Sequence, residues 1–97
     1  MTEFDDALGR LLRRLREGAG MSQRALADVL REDQAVISRL ESGNRHVSVE
    51  TLLQYLSGIG STLTEVAAEI SRLPSADQRP SLWQKMSPDT PANKTRE

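Results

Sequence analysis

Apolar residues recur at helical spacing in five segments of the chain, and polar or glycine-containing breaks separate those segments. The first predicted helix begins at about Asp5 or Asp6 and runs to Glu17, where Gly18 and Gly20 end it. It carries a stripe of leucines at the i, i+3, i+4, i+7 spacing: Leu8, Leu11, Leu12 and Leu15. One face of this helix is therefore expected to pack against a core.

Two short helices follow, with a tight polar turn between them. Ser22 can cap a second helix that runs to about Leu30, and Arg31 and Glu32 form the turn. We expect this helix to offer three side chains to the core: Leu26, Val29 and Leu30. A pair of short helices joined in this way is typical of a helix-turn-helix.

The third predicted helix runs from Gln34 to about Ser42, and its two faces differ in chemistry. Asp33 is expected to cap it through the side-chain oxygen, and Gly43 ends it where a positive φ is needed. At about 100° per residue one arc is apolar and must pack inward: Val36, Ile37 and Leu40. The opposite arc carries Gln34, Ala35, Ser38, Arg39 and Ser42. An amide matches adenine and a guanidinium matches guanine in a major groove, although an ordinary solvated face has the same composition.

Two further helices complete the pattern. Ser48 caps a fourth helix with apolar residues at helical spacing: Val49, Leu52, Leu53, Leu56 and Ile59. Tyr55 on this helix is expected at the rim of the core or on a dimer face. Thr62 and Glu65 form a capping box for a fifth helix that stops at Pro74. Its stripe is Leu63, Val66, Ala67, Ile70 and Leu73. The sequence therefore predicts an all-α, five-helix fold.

The chain of 97 residues suffices for one small domain and an extension. We place the domain at residues 1–74 and predict a mobile tail at residues 75–97, which hold three of the four prolines and no sustained periodicity. Trp83, flanked by Leu82 and Met86, is the exception. It either packs back on the domain or anchors a partner protein or second subunit.

Charge is distributed unevenly along the chain. The formal net charge is -1, which a bulk nucleic-acid binder would not show. Between residues 10 and 45, however, the sequence contains eight arginines and five acidic residues, a local excess of three positive charges. Every cationic residue before residue 80 is arginine, which suits phosphate and guanine contacts but would also follow from a biased genome.

The residue inventory argues against several function classes. Catalysis needs a nucleophile with a base, paired carboxylates or a metal cluster, whereas this chain has no cysteine and a single histidine, His46, expected to be solvated or to face phosphate. We therefore expect no enzyme activity, no cofactor and no metal site. The aromatic residues are too scattered for an RNA-binding sheet. No apolar run is long enough to span a membrane, and we expect a cytoplasmic protein.

Three runs carry a family resemblance: LLRRLREGAGMSQRALADVL, ISRLESGNR and VSVETLLQYLSGIG. In these the chain resembles the lambda-repressor/Cro-like, or xenobiotic-response-element, helix-turn-helix family over roughly residues 6–70. The resemblance implies base contacts by Gln34, Ala35, Ser38 and Arg39. It implies phosphate contacts by Gln23, Asn44 and Arg45. It also suggests that Arg16 on the first helix pairs with Glu41 at the end of the third.

The chain departs from the family pattern in the turn before the third helix. Arg31 stands where the family usually has glycine, so a left-handed backbone there would cost roughly 1 kcal/mol, and we expect a reshaped turn. Glu32 places an acid close to where DNA phosphates would run, and no capping role accounts for it. We expect Glu32 to lower non-specific affinity for DNA.

These features together predict a sequence-specific transcriptional regulator, a repressor that binds double-stranded DNA at a palindromic operator as a homodimer. The dimer surface is expected on helix 5 and the region joining helices 4 and 5. The alternative is an antitoxin, which would grip a partner toxin and repress its own operon. An acidic body with a flexible tail suits that alternative as well.

Overall fold

A computed structural model describes residues 2–74, and this part of the chain forms five helices without a strand. The helices are α1 (Glu3–Gly18), α2 (Gln23–Leu30), α3 (Gln34–Ser42), α4 (Val49–Gly58) and α5 (Leu63–Ser71). The predicted all-α, five-helix fold is confirmed. The predicted mobile tail at residues 75–97, with Trp83, lies outside the described residues.

Side-chain caps explain where most of the helices begin. The side chains of Ser22, Ser48 and Thr62 accept from backbone amides in the first turns of α2, α4 and α5, as predicted. The predicted start of α1 was too late, because Thr2 and Asp5 form a capping box that starts the helix at Glu3.

Two other details of the helix ends were predicted wrongly. Asp33 occupies the N-cap position of α3 with an extended backbone, but its side chain makes no capping hydrogen bond. The prediction thus gave the right N-cap residue for α3, but the expected side-chain hydrogen bond is absent. Helix α5 was predicted to stop at Pro74 but ends at Ser71. The backbone amides of Arg72 and Leu73 donate to carbonyls three residues earlier, those of Glu69 and Ile70, and so terminate the last turn.

The turn between α2 and α3 keeps a left-handed residue although it lacks glycine. Arg31 has φ 58° and ψ 45°, and its amide donates to the carbonyl of Asp28 at 3.2 Å. The next amide, of Glu32, donates to the carbonyl of Ala27 at 2.9 Å. The expected reshaping is therefore wrong, because these bonds at the end of α2 offset the cost of about 1 kcal/mol for a side chain in this conformation.

The core lies where α1, α2, α3 and α4 meet, and α5 adds Val66 at one side. Its fully buried large side chains are Tyr55, Leu11, Leu12, Leu26, Ile37 and Leu56. Val29, expected in the core, is 57% exposed. At 100° per residue it lies outside the arc that α2 buries with Leu26, Ala27 and Leu30.

Gly9 allows α1 and α3 to approach closely. A β-carbon at this position would lie 2.5 Å from the carbonyl oxygen of Glu41, which no real side chain tolerates. Glycine is therefore required there by the packing of α3 and not by backbone conformation. This close approach brings the end of α3 against the middle of α1, next to the buried charges described below.

A charged cluster lies between these helices, with only 7% of the Arg16 side chain and 3% of the Glu41 side chain exposed. Arg16 Nε donates to Glu41 Oε2 at 2.6 Å, and Arg16 Nη2 donates to Glu41 Oε1 at 3.0 Å. Tyr55 donates its hydroxyl to Glu41 Oε2 and approaches the carbonyl of Leu12 at 3.0 Å. The suggested pair of Arg16 and Glu41 is confirmed. The expectation that Tyr55 lies at the rim of the core or on a dimer face is wrong, because the side chain is fully buried and its hydroxyl is bonded inside the core.

The ionised form of Glu41 is favoured in the folded protein. Burial alone would raise the pKa of the Glu41 carboxyl, but hydrogen bonds from Arg16, Tyr55 and Gln23 outweigh burial and hold that pKa below its ordinary value. Burial, followed by the neighbouring carboxylate, raises the pKa of Tyr55 far above its ordinary value. The protonated form of Tyr55, which donates the hydrogen bond to Glu41, is thus the favoured one.

Removing either charge alone should destabilise the fold strongly. Arg16→Met or Glu41→Leu leaves its partner buried without a counter-charge, and we expect each to lower the free energy of unfolding by about 3 kcal/mol. The double variant should recover much of this loss. Urea unfolding of the two singles and the double measures the coupling.

The exposed pair Arg13 and Glu17, with a 3.1 Å contact, is the matched control. Breaking it should cost under about 1 kcal/mol. Small, additive losses at Arg16 and Glu41 would show that their pair is not a buried, coupled unit.

Acid should weaken the fold through Glu41. Its pKa is lower in the folded chain, so the carboxylate contributes stability above its ordinary pKa of 4.5, and that contribution is lost as the pH falls toward the folded-state pKa. Hydrogen bonds from Thr2 outweigh burial and also lower the pKa of the Asp5 carboxyl, so Asp5 contributes to the loss of stability in acid as well. Thermal melts from pH 7 to pH 2.5 should show a shallower decline for the Arg16→Met, Glu41→Leu double variant. Equal declines would contradict this assignment.

Candidate nucleic-acid interface

Helix α3 presents the predicted base-reading residues on one exposed face. Gln34, Ala35, Ser38 and Arg39 are all exposed, whereas Ile37, Leu40 and Glu41 are buried and Val36 is half-buried. The four exposed residues span about 140° of the helix circumference at 100° per residue. The structure thus brings together on one surface an amide, a methyl group, a hydroxyl and a guanidinium.

The first residues of α2 and α3 are joined by a hydrogen bond. Gln34 Nε2 donates to Gln23 Oε1 at 3.3 Å, and Gln23 Nε2 donates to Glu41 Oε1 at 3.1 Å. Gln23, half-buried, therefore connects the exposed face of α3 to the buried charged cluster. Sequence spacing carries no signal for this connection, because it depends on how α2 and α3 cross.

The loop that follows α3 is held at both ends. Gly43 adopts φ 81°, and the amide of Asn44 donates to the carbonyl of Arg39 at 3.1 Å, which closes the helix in a Schellman arrangement. Farther along, His46 Nδ1 lies 3.2 Å from a carboxylate oxygen of Asp5 on α1. The exposed side chains of Asn44 and Arg45 are thereby carried on a loop with a defined path.

Four exposed arginines lie on α2, on α3 and in the segments beside them: Arg24, Arg31, Arg39 and Arg45. Within residues 2–74 none of these four forms an ion pair. By contrast, Arg13 and Arg14 on α1 contact Glu17 and Glu69. Among the described residues, these four guanidinium groups are thus free of ion pairs around the helix-turn-helix, and the exposed acids of the same segment are Asp28, Glu32 and Asp33.

Between residues 2 and 74, no group of three or more acidic or histidine side chains is placed to hold a metal ion. None of the helices of this region is both long and apolar enough to cross a membrane. The candidate site is the polar face of α3 together with the exposed residues beside it, on the evidence of the side chains gathered there.

Tyr55 lies near this site, and the sequence did not lead us to place it in the core. The residues that α4 buries are Leu52, Tyr55 and Leu56, at the i, i+3, i+4 spacing, while Leu53 is 45% exposed. Reading the aromatic ring as part of that stripe would have placed it in the core. Its bond to Glu41 could not have been predicted from the same spacing.

Residues 7–68 match the profile of the helix-turn-helix domain family. Among curated proteins, control protein C.MunI of Mycoplasma sp is 32% identical over 73 residues, covering 74% of this chain and 99% of that protein. The clp gene regulator ClgR of Corynebacterium glutamicum has a similar structure, with a TM-score of 0.66 and 30% identity over 74% of this chain and 92% of that chain.

A mutant of the restriction-modification controller protein C.Esp1396I, solved bound to its highest-affinity operator site OM, shares the fold. Its TM-score is 0.66 at 18% identity, covering 74% of this chain and 95% of that chain. Relatives and structural neighbours are thus named as control proteins and gene regulators. The chain belongs to the helix-turn-helix domain family and is a DNA-binding regulator of the Cro-like type, similar to restriction-modification controller proteins and ClgR.

Proposed function

We propose that the protein regulates transcription by reading a specific DNA sequence with the exposed face of α3. The observation that carries this proposal is the exposed face itself, which places Gln34 and Arg39 at its two edges and the short residues Ser38 and Ala35 between them. In a major groove the Gln34 amide pairs with adenine and the Arg39 guanidinium with guanine. Ser38 bonds a base edge, and Ala35 contacts a thymine methyl group.

Phosphate contacts hold the domain in register while α3 reads bases. We assign them to Gln23 at the start of α2 and to Asn44 and Arg45 after α3. The free amides in the first turn of α2 add a weak anion site, as at other helix N-termini. The exposed arginines of this region, which form no ion pair within residues 2–74, support the assignment.

The active species is proposed to be a homodimer on a palindromic operator, with half-sites about 10 bp apart or a multiple of that. Exposed apolar side chains support it: Val49 and Leu53 on α4 are 68% and 45% exposed, and Leu63 on α5 is 39% exposed. The first two line an open groove of about 490 Å³ together with Leu30 of α2. A second copy that covers this surface would remove it from water.

Repression is the proposed outcome of binding, because a dimer seated on an operator blocks other proteins from the same DNA. The relatives named as a control protein and a gene regulator support a role in transcription control. The antitoxin alternative is less well supported, since the relatives reported above are named as control proteins and regulators.

Selection of protein-bound duplexes from a random DNA pool at defined salt should recover a palindrome. On the recovered duplex, Gln34→Ala and Arg39→Ala should each cost about 1–3 kcal/mol of binding, confined to particular base pairs, with unchanged melting. Binding to random duplexes should change far less. If a variant lowers the affinity for recovered and random duplexes equally, the side chain that it removes does not contact a base.

Glu32 gives a test of the proposed phosphate path. Glu32→Gln removes an exposed negative charge from the turn before α3, so affinity should rise for recovered and random duplexes alike, most at low salt. Glu17→Gln, on the exposed surface of α1, is the control and should change little. Equal affinities of the Glu32 variant and the unmodified protein at low salt would mean that Glu32 does not face the DNA.

A further inference from the structure

The carboxylate of Glu41 is saturated by hydrogen-bond donors. Oε1 accepts from Arg16 Nη2 and Gln23 Nε2, and Oε2 accepts from Arg16 Nε and Tyr55. These donors come from α1, α2 and α4, while Glu41 itself belongs to α3. The side chain of Glu41 is therefore held in one position by three other helices.

A carboxylate accepts hydrogen bonds and cannot donate them, which decides how the Gln23 amide is oriented. Its NH2 end must face Glu41, because the reverse orientation would set the Gln23 carbonyl oxygen against a carboxylate oxygen. With Nε2 directed inward, Oε1 of Gln23 is left as an acceptor. That acceptor is the atom 3.3 Å from Gln34 Nε2.

The orientation of the Gln34 amide is fixed in the same way. Its NH2 end meets the Gln23 oxygen, so a reversed Gln34 amide would place two carbonyl oxygens together. One Nε2 hydrogen is engaged with Gln23, which leaves one hydrogen and Oε1 for a base. These two match the acceptor N7 and the donor N6 of adenine, with the order of donor and acceptor along the groove already set.

We propose that Glu41 is a positioning residue for base recognition: through Gln23 it sets the orientation of the Gln34 amide, and thereby the base pair that Gln34 prefers. This inference deepens the proposed function and rests on it. The buried charge thus has two roles, one in holding the helices together and one in setting the hydrogen-bond pattern that the protein presents to DNA.

The test is the ratio of affinities for two duplexes that differ at the single base pair sensitive to Gln34→Ala. One is the duplex recovered by selection, and the other carries the reversed base pair at that position. A purely structural role of Glu41 lowers affinity for both duplexes and leaves their ratio unchanged. A positioning role lowers the ratio itself.

Two variants break the connection at different points. Glu41→Gln keeps the shape but can offer either an NH2 group or an oxygen to Gln23. Gln23→Met removes the link and leaves the Arg16 pair intact; it also removes the proposed phosphate contact of Gln23, which lowers affinity for both duplexes equally and cancels in their ratio. Each should lower the affinity ratio by roughly tenfold, a large part of what a good base contact supplies. The Gln23 variant also tests the proposal if Glu41→Gln fails to fold at the temperature of the assay.

Two controls make the result specific. In a Gln34→Ala background neither substitution should lower the ratio any further, because no amide remains to be oriented. Glu17→Gln makes the same chemical change at an exposed site on α1 and should leave the ratio unaltered.

The outcomes separate this proposal from the one it rests on. If Gln34→Ala lowers the ratio while Glu41→Gln and Gln23→Met leave it unchanged, base recognition stands and the positioning role is overturned. If Gln34→Ala is itself without effect at every base pair, base recognition by Gln34 fails and the positioning role fails with it. Ratios that fall in both variants, and only when Gln34 is present, support the positioning role.

Discussion

The buried pair between Arg16 and Glu41 is the interaction on which the rest of this small domain depends. Arg16 bonds both carboxylate oxygens and also donates from Nη1 to the carbonyl of Met21, which lies between α1 and α2. Tyr55 brings α4 to the same carboxylate, and Gln23 brings α2. Removing two charges from water is costly, so the pair is tolerated because nearly every polar atom in it has a partner.

This arrangement explains why α3 can present a reading face from so small a body. One side of α3 is held by Ile37 and Leu40 in the core, and its end is held by Glu41 against α1 at the close approach that Gly9 allows. A base contact needs its side chain placed within a fraction of an ångström. A helix fixed by both apolar packing and directional bonds meets that need better than one fixed by packing alone, because packing tolerates small shifts.

The sequence predicted those features of the fold that depend on residues close together in the chain. Caps, glycine breaks and apolar spacing predicted all five helices, and the two faces of α3 were predicted correctly because they follow from helical periodicity alone. Two of the errors could have been avoided, because helical spacing alone puts Val29 outside the arc that α2 buries and Tyr55 within the stripe that α4 buries. The error at Arg31 is different, because it depends on how the turn is hydrogen-bonded, which spacing does not report. For the same reason the link from Glu41 through Gln23 to Gln34 joins residues on different helices and left no trace in spacing.

The central claim is that a buried charge organises the DNA-reading face of α3, and a crystal structure of the protein on its selected duplex tests it most directly. We predict α3 in the major groove, with Gln23 donating to Glu41 and accepting from Gln34, and with the Gln34 amide paired to one adenine edge. A complex in which Gln34 reads a base while the Gln23 amide has left Glu41, or in which α3 lies outside the groove, would contradict the claim.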